Sequence, residues 1–406
     1  MNRIENLLQT LAPKGVEFRK IGEICLIKRG RVIAKKILQE NGKYPVYSSQ
    51  TLNNGILGFI DTYDFDGEFL TWTTDGAYAG SVFYRNGRFS ITNVCGLLQV
   101  IKDNILHKYL YYILQITAPL HVSSGMGNPK LMSAAMQQIT IPIPPLEIQQ
   151  EIVTILDAFT ELNTELNTEL KARKKQYQYY QNMLLDFKDI NSNHKDAKEK
   201  LAQKTYPKRL KTLFHTLAPK GVEFRKLGEV CDFQKGKSIT KKAVTFGKVP
   251  VISGGRQPAY YHNEANRSGE TIAISSSGVY AGYVSYWDIP VFLADSFSVS
   301  PKQKTLMPKY LFHYLTTQQD AIHATKSTGG IPHVYSKDLQ NFLIPIPPLE
   351  IQQEIVKILD QFLALTTDLL AGIPAEIEAR KKQYEYYREK LLSFKPLTPH
   401  KEVKKC

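Results

Sequence analysis

The chain has 406 residues, 43% of them hydrophobic, with 52 Lys and Arg against 38 Asp and Glu, for a formal net charge of +14 and a pI near 9.3. Each half is long enough to bury its own core, and the excess of positive charge favours a polyanionic partner, nucleic acid before an anionic membrane. No run approaches the roughly 18 apolar residues of a spanning helix, and Met1 to Lys20 has neither the apolar stretch nor the cleavage site of a signal peptide. A soluble, cytoplasmic protein with no membrane partner is therefore expected.

The chain opens on an amphipathic segment, with Ile4, Leu7, Leu8 and Leu11 at helical spacing, followed by TLAPKGVEFRK (Thr10 to Lys20) and KIGEIC. Next comes IKRGRVIAKK, a basic cluster of Lys28, Arg29, Arg31, Lys35 and Lys36. Clusters of this kind suit phosphate contacts, which position a protein on DNA without reading its sequence; a solvated basic loop is the alternative. The runs YPVYSS, GILGFI, GSVFYR and VCGLLQV are short and rich in β-branched and aromatic residues, which predicts strands. Within TTDGAYAGSVFY (Thr73 to Tyr84), glycines on both sides of Tyr78 predict a tight turn presenting an aromatic ring, with a purely structural hairpin as the alternative. A helix is expected over His107 to Thr117. The polar, Gly-rich stretch SSGMGNPKLM (Ser123 to Met132), which contains Lys130, is a candidate for groove approach.

The segment IPIPP then holds the chain extended up to a helix expected over Leu146 to Phe187, free of Gly and Pro. Its apolar residues Ile148, Ile152, Ile155, Phe159, Leu162 and Leu166 repeat at intervals of three and four, the seam of a coiled coil. At 1.5 Å per residue this helix would be roughly 60 Å long. Within it, ELNTELNTEL (Glu161 to Leu170) is a tandem four-residue repeat. Lys188 to Tyr206 is polar and reads as a linker or exposed helix outside the core.

The motifs that frame this first copy then recur about 205 residues later, while the globular sections diverge, as in Leu52 to Thr71 against Pro258 to Glu270. IPIPPLEIQQEIV stands unchanged at Ile141 to Val153 and at Ile344 to Val356; TLAPKGVEFRK returns at Thr216 to Lys226, and ARKKQY at Ala172 and at Ala379. Such a period is right for two fused domains. The second copy has its own amphipathic start (Leu210, Leu213, Phe214, Leu217), KLGEVC, and strand-like runs VPVIS, TIAISS, GYVSYW and FSVSP. It also has a helix near Pro308 to Gln318. Its basic cluster is Lys235, Lys237, Lys241 and Lys242, with Arg256 following; its tyrosine turn SSSGVYAGYVSY carries Tyr280, and its Gly-rich loop KSTGGIPHVY begins at Lys326. The second long helix, with Ile351, Ile355, Ile358, Phe362, Leu365 and Leu369 as its seam, carries Gly372 and Pro374 where the first has helix formers, which predicts a kink or short break. The two long helices can pair with each other; packing of each on its own domain alone is the alternative.

The expected fold class is thus α+β: two α/β-mixed recognition domains in tandem pseudo-repeat, separated by two long antiparallel coiled-coil helices. The boundaries are 1–145 for the first domain, 146–187 for the central helix, 188–206 for the linker, 207–348 for the second domain, 349–394 for the C-terminal helix and 395–406 for a basic tail.

Catalytic signatures are missing. The GKS at Gly236 is not a phosphate-binding loop, because the glycine required five residues earlier is Cys231. SGMGNPK is no dinucleotide fingerprint, and its NPK is not the Asn-Pro-Pro-aromatic motif of amino-methyltransferases. The histidines show no metal-ligand spacing. No cofactor or metal is expected. Cys25, Cys95, Cys231 and Cys406 form no CxxC pair and read as buried, reduced thiols.

The doubled PIPPLEIQQEIV, the helix ends ARKKQYQYY and ARKKQYEYY, and the paired KIGEIC and KLGEVC resemble the specificity (S) subunit of type I restriction-modification systems over essentially the full chain. The resemblance implies two target-recognition domains, each reading one half of a split double-stranded DNA site, held apart by paired helices. It implies no catalysis by this chain: two modification (M) subunits methylate adenine, and restriction (R) subunits translocate and cut. Two domains set on a rod would reach half-sites about one DNA turn, roughly 34 Å, apart. The helix faces bearing Tyr177, Tyr179 and Tyr180, and Tyr384, Tyr386 and Tyr387, are the expected docking surface for the M subunits, with a core role for part of each set as the alternative. A free-standing DNA-binding or anti-restriction protein is the rival reading of the same frame.

Overall fold

The computed structural model describes residues 2–123, 127–191, 195–302, 304–327, 330–367 and 372–397. The chain divides into two compact units. The first comprises Met1–Leu166 with Ile377–Cys406, the second Asn167–Glu376.

In the first unit the order is α1 (Asn2–Leu11), β1 (Glu17–Lys20), β2 (Cys25–Arg29), β3 (Tyr44–Tyr47), β4 (Ile56–Ile60), β5 (Phe65–Thr73), β6 (Val82–Ile91), β7 (Cys95–Val100), α2 (His107–Thr117), β8 (Thr140–Ile143) and the start of α3 (Leu146–Leu185). Helix α1 buries Ile4 and packs Leu7 and Leu8 against the same core, as its spacing requires, while Leu11 at its last turn stays exposed. The main sheet runs β2-β7-β5-β6-β3-β4, antiparallel except for the short parallel β6–β3 pairing. Trp72 lies opposite Gly96 in the register of β5 and β7. A Cβ at position 96 would meet the Trp72 ring at 2.0 Å, so the indole fills the space a side chain would need.

The second unit repeats the plan with α4 (Ala197–Gln203), α5 (Lys208–Leu217), β9 (Glu223–Lys226), β10 (Cys231–Lys235), β11 (Val249–Ile252), β12 (Tyr260–His262), β13 (Thr271–Ser275), β14 (Val284–Trp287), β15 (Phe292–Leu293), β16 (Ser296–Pro301), α6 (Pro308–Thr317), β17 (Leu343–Ile346) and α7 (Leu349–Thr367). Besides the β9–β17 pair, its strands form the sheets β10-β16-β13-β14 and β12-β11-β15. Here Ile274 faces Phe297 where the first unit has Trp72 and Gly96. The two pairs are alternative ways to fill one volume, a swap that cores tolerate well.

The doubled sequence motifs prove to be partners of each other. Strand β1, from VEFRK, pairs with β8, from IPIPP, placing Phe18 opposite Pro142; β9 and β17 repeat this with Phe224 opposite Pro345. The helix that follows is tied back by a buried glutamine. Gln149 Nε2 donates to Asn104 O and Pro144 O, both at 2.8 Å, and its Oε1 accepts Leu106 N at 2.9 Å. Gln352 does the same with Thr305 O, Pro347 O and Met307 N, at 2.7, 2.7 and 2.9 Å. Both side chains are fully buried, and each satisfies three backbone groups that would otherwise be stranded at the domain–helix joint.

Helix α3 ends at Leu185, and the second copy is broken into α7 and α8 (Ile373–Leu391), as Gly372 and Pro374 require; 368–371 lie outside the described residues. Each unit holds a helix pair built from both copies. In the first, Phe159 of α3 lies 6.3 Å from Tyr384 and stacks on Tyr387 of α8 at 5.5 Å. In the second, Tyr180 of α3 stacks on Phe362 of α7 at 4.8 Å. Leu184 and Leu185, at the end of α3, share a core with Ile351 and Ile355, near the start of α7, so this pair runs antiparallel.

The presumed linker is a correction. Ala197 is buried, Ile190, Leu201 and Tyr206 join the second unit's core with Phe187 and Phe214, and Val222 N donates to Ile190 O. A few apolar residues at the right positions suffice to dock an otherwise polar stretch. The first unit uses the chain's end in the same way: Val16 N donates to Lys395 O and Leu397 N to Val16 O. The rest of the basic tail, with Cys406, lies outside the described residues. Cys25, Cys95 and Cys231 are free and buried, and burial pushes each thiol up to about 12, leaving them unreactive.

Candidate nucleic-acid interface

Three sequence features of each copy meet at one end of its main sheet. In the first unit the turn between β6 and β7 is the keystone. Arg29 Nη2 donates to Asn93 O at 2.6 Å and Nη1 reaches Met132 Sδ at 4.0 Å, tying the basic loop to the end of the Gly-rich loop. Thr74 N donates to Val94 O, Gly76 N to Pro129 O and Leu131 N to Thr74 O, so the tyrosine turn is sandwiched between the two. Gly76 and Gly80, at φ 91° and 82°, supply the left-handed corners that turn Tyr78 outward, half exposed at 50%. Trp72 Nε1 donates to Leu131 O, anchoring the Gly-rich loop to the sheet.

The second unit builds the same frame from other side chains. Lys237 N donates to Leu293 O, Gly236 N to Ser296 O, Ser276 N to Asp295 O, Gly278 N to Pro332 O and Val334 N to Ser276 O; Ser277 Oγ bonds Asp295. Tyr280 is 41% exposed, with the Arg256 guanidinium 4.9 Å from its ring centroid, a cation–π distance. Lys326 Nζ donates to Val279 O.

Among the residues singled out in the sequence, Arg29, Tyr78 and Lys130 thus converge in the first unit, and Lys237, Arg256, Tyr280 and Lys326 in the second. Lys28 and Lys235 sit on the adjoining edge strands β2 and β10, exposed. Lys35, Lys36, Lys241 and Lys242 occupy 3-10 turns that lead to the smaller β3–β4 and β11–β12 pairings rather than to the tyrosine turns. Arg31 is engaged by Asp64, Nε to Oδ2 at 2.9 Å, and so helps hold the loop.

Several residues that shape these sites gave no sequence signal of their own. Arg267 donates to Gln234 O and Lys235 O, both at 3.0 Å, and to Ser298 Oγ at 2.9 Å, fixing the second basic loop as Arg31 fixes the first. Arg85, 3% exposed, bonds Thr71 Oγ1 and lies 3.6 Å over the Tyr47 ring; burial pushes it down to about 10, so it stays charged at neutral pH. At the joint, Lys108 Nζ meets Asp157 at 2.5 Å and Tyr112 Oη donates to the same carboxylate. Lys309, Asp360 and His313 take the matching places, at 2.7 and 2.8 Å. Comparing the two copies position by position could have found this pair, since both members recur. Among the described residues no group of His, Cys, Asp and Glu could hold a metal ion, and no helix is long and apolar enough to cross a membrane.

Comparison with known proteins agrees with this duplicated frame. The family described as type I restriction modification DNA specificity domain matches residues 13–199 and again 219–379. A Mycoplasma pneumoniae protein named as a type I specificity subunit is 36% identical over 379 residues, 92% of this chain and 97% of its own. The crystal structure of a type I restriction-modification S subunit from M. genitalium superposes with a TM-score of 0.65 at 19% identity, covering 93% of this chain and 96% of that one. A chain from a structural study of type I complex assembly and conformational transition gives 0.52 at 18% identity, covering 93% and 97%; at such identities both show a shared fold. With both repeats matched in tandem and a relative similar along nearly its whole length, the chain belongs to the type I restriction-modification specificity subunits, non-catalytic DNA-recognition proteins with two target-recognition domains.

Proposed function

We propose that each unit reads one half of a bipartite, asymmetric double-stranded DNA site through its loop cluster, and that the paired helices set the spacer and dock two M subunits, with R subunits joining in the full complex in the cytoplasm. One observation carries this reading: the basic loop, the tyrosine turn and the Gly-rich loop meet at equivalent places in both units, on the same backbone frame, with different side chains at the tips. Lysines and arginines there would contact phosphates, while the tips approach base edges. Different tips imply different half-sites.

On the helices, Tyr177 and Tyr180 pack on the second core, and Tyr384 and Tyr387 on the first. That leaves Tyr179 and Tyr386, 61% and 59% exposed at matching positions. Two equivalent exposed rings suit two copies of one partner.

The test is co-expression with an adjacent modification subunit and genome-wide mapping of N6-methyladenine. A bipartite asymmetric motif that disappears when this chain is omitted supports the reading. Methylation indifferent to the chain overturns it in favour of a free-standing DNA-binding protein.

A further inference from the structure

We infer that the second unit reads thymine through its 5-methyl group, using Val279 and Ile331 as an apolar tip; this rests on the loop cluster being the DNA face. The two side chains are 81% and 66% exposed. They stand on adjoining turns whose backbones are joined by Gly278 N to Pro332 O at 3.0 Å and by the Ser277–His333 bridge, so their spacing is set before any ligand arrives. Cations border them: Lys326 Nζ lies against Val279 O, and Arg256 sits over Tyr280. Asp295, held by Ser277 Oγ, is the acid at the base of the turn.

Two branched aliphatic side chains beside cations are a poor match for a wholly polar or wholly apolar partner. They match a polyanion that offers a small apolar group, and in the major groove of DNA the thymine methyl is that group. The first unit has Ala77 and Asn128 at the corresponding positions, a smaller apolar tip beside a polar one.

The experiment uses the chain in complex with its modification subunit and a duplex carrying its mapped motif. Each thymine of the second half-site is replaced in turn by deoxyuridine, which removes only the methyl. Wild-type affinity should fall about fourfold at one or two positions, the equivalent of roughly 0.8 kcal/mol for one buried carbon. The surface variants V279S and I331S should bind the thymine duplex more weakly and lose sensitivity to deoxyuridine. Binding of the unmodified duplex with indifference to every deoxyuridine, or a second half-site with no thymine on either strand, overturns the inference while leaving DNA recognition intact. Failure to bind any motif-bearing duplex overturns the underlying reading instead.

Discussion

Replacing Gln352 by methionine keeps the volume of a fully buried side chain but removes its hydrogen bonds to Thr305 O, Pro347 O and Met307 N. The Met307 amide is then buried without its acceptor, a cost of about 1–3 kcal/mol, and each carbonyl loses a donor at about 1 kcal/mol, giving about 3–5 kcal/mol in all. With a urea slope of about 2–3 kcal/mol/M for a domain of this size, the midpoint of the second unit's transition should fall by about 1.5 M. Circular dichroism in urea measures this, and hydrogen exchange of the peptide spanning Met307 and the start of α6 shows where the loss occurs. Q149M should produce the same change in the first unit, where the bonds go to Leu106, Asn104 and Pro144. A Q352M midpoint within about 0.3 M of wild type, with the Met307 amide still protected, would refute the claim that this glutamine locks helix to domain.

Three further outcomes are expected. Burial works against the Asp360 charge, but hydrogen bonds from His313 and Lys309 prevail and hold its carboxyl below the usual range. A depressed folded value stabilises above the unfolded Asp value of about 3.9 and is lost as pH falls through the folded one. D360N should therefore lower stability at pH 7 and cost progressively less toward pH 3, as read from urea midpoints against pH. Y179A combined with Y386A should weaken association with the modification subunit without changing Tm, whereas Y180A or Y387A, which remove stacked rings, should lower Tm by several degrees; co-purification and calorimetry separate the two. Deleting Glu161 to Thr164 removes about 6 Å of helix and should shorten the unspecified spacer by about one or two base pairs with both half-sites unchanged; a methylome with the original spacer would end the ruler reading.

Local pattern was enough to find the strands over YPVYSS and TIAISS, the helix at His107 and the helix break at Gly372, because period, β-branching and Gly or Pro act over a few neighbouring residues. Exact duplication likewise exposed the two-unit plan and the family. What the sequence could not disclose was which copies pair with which. The half of α3 beyond Leu166 joins the second unit and α8 from Ile377 joins the first, and the stretch read as a linker is core because Ile190, Leu201 and Tyr206 find a pocket beside Phe214. The same holds for the loop clusters. Arg29 and Met132 lie 103 positions apart, and Arg267 reaches back to Gln234. Contacts between residues so distant along the chain leave no periodic trace; they exist only once the sheet has brought the loops to one edge. By itself the sequence determined the repeat, the elements and the charge that favours DNA. The tertiary structure alone decided which cations stand at the tyrosine turns, which ones hold the backbone, and which apolar side chains are left exposed at the tips.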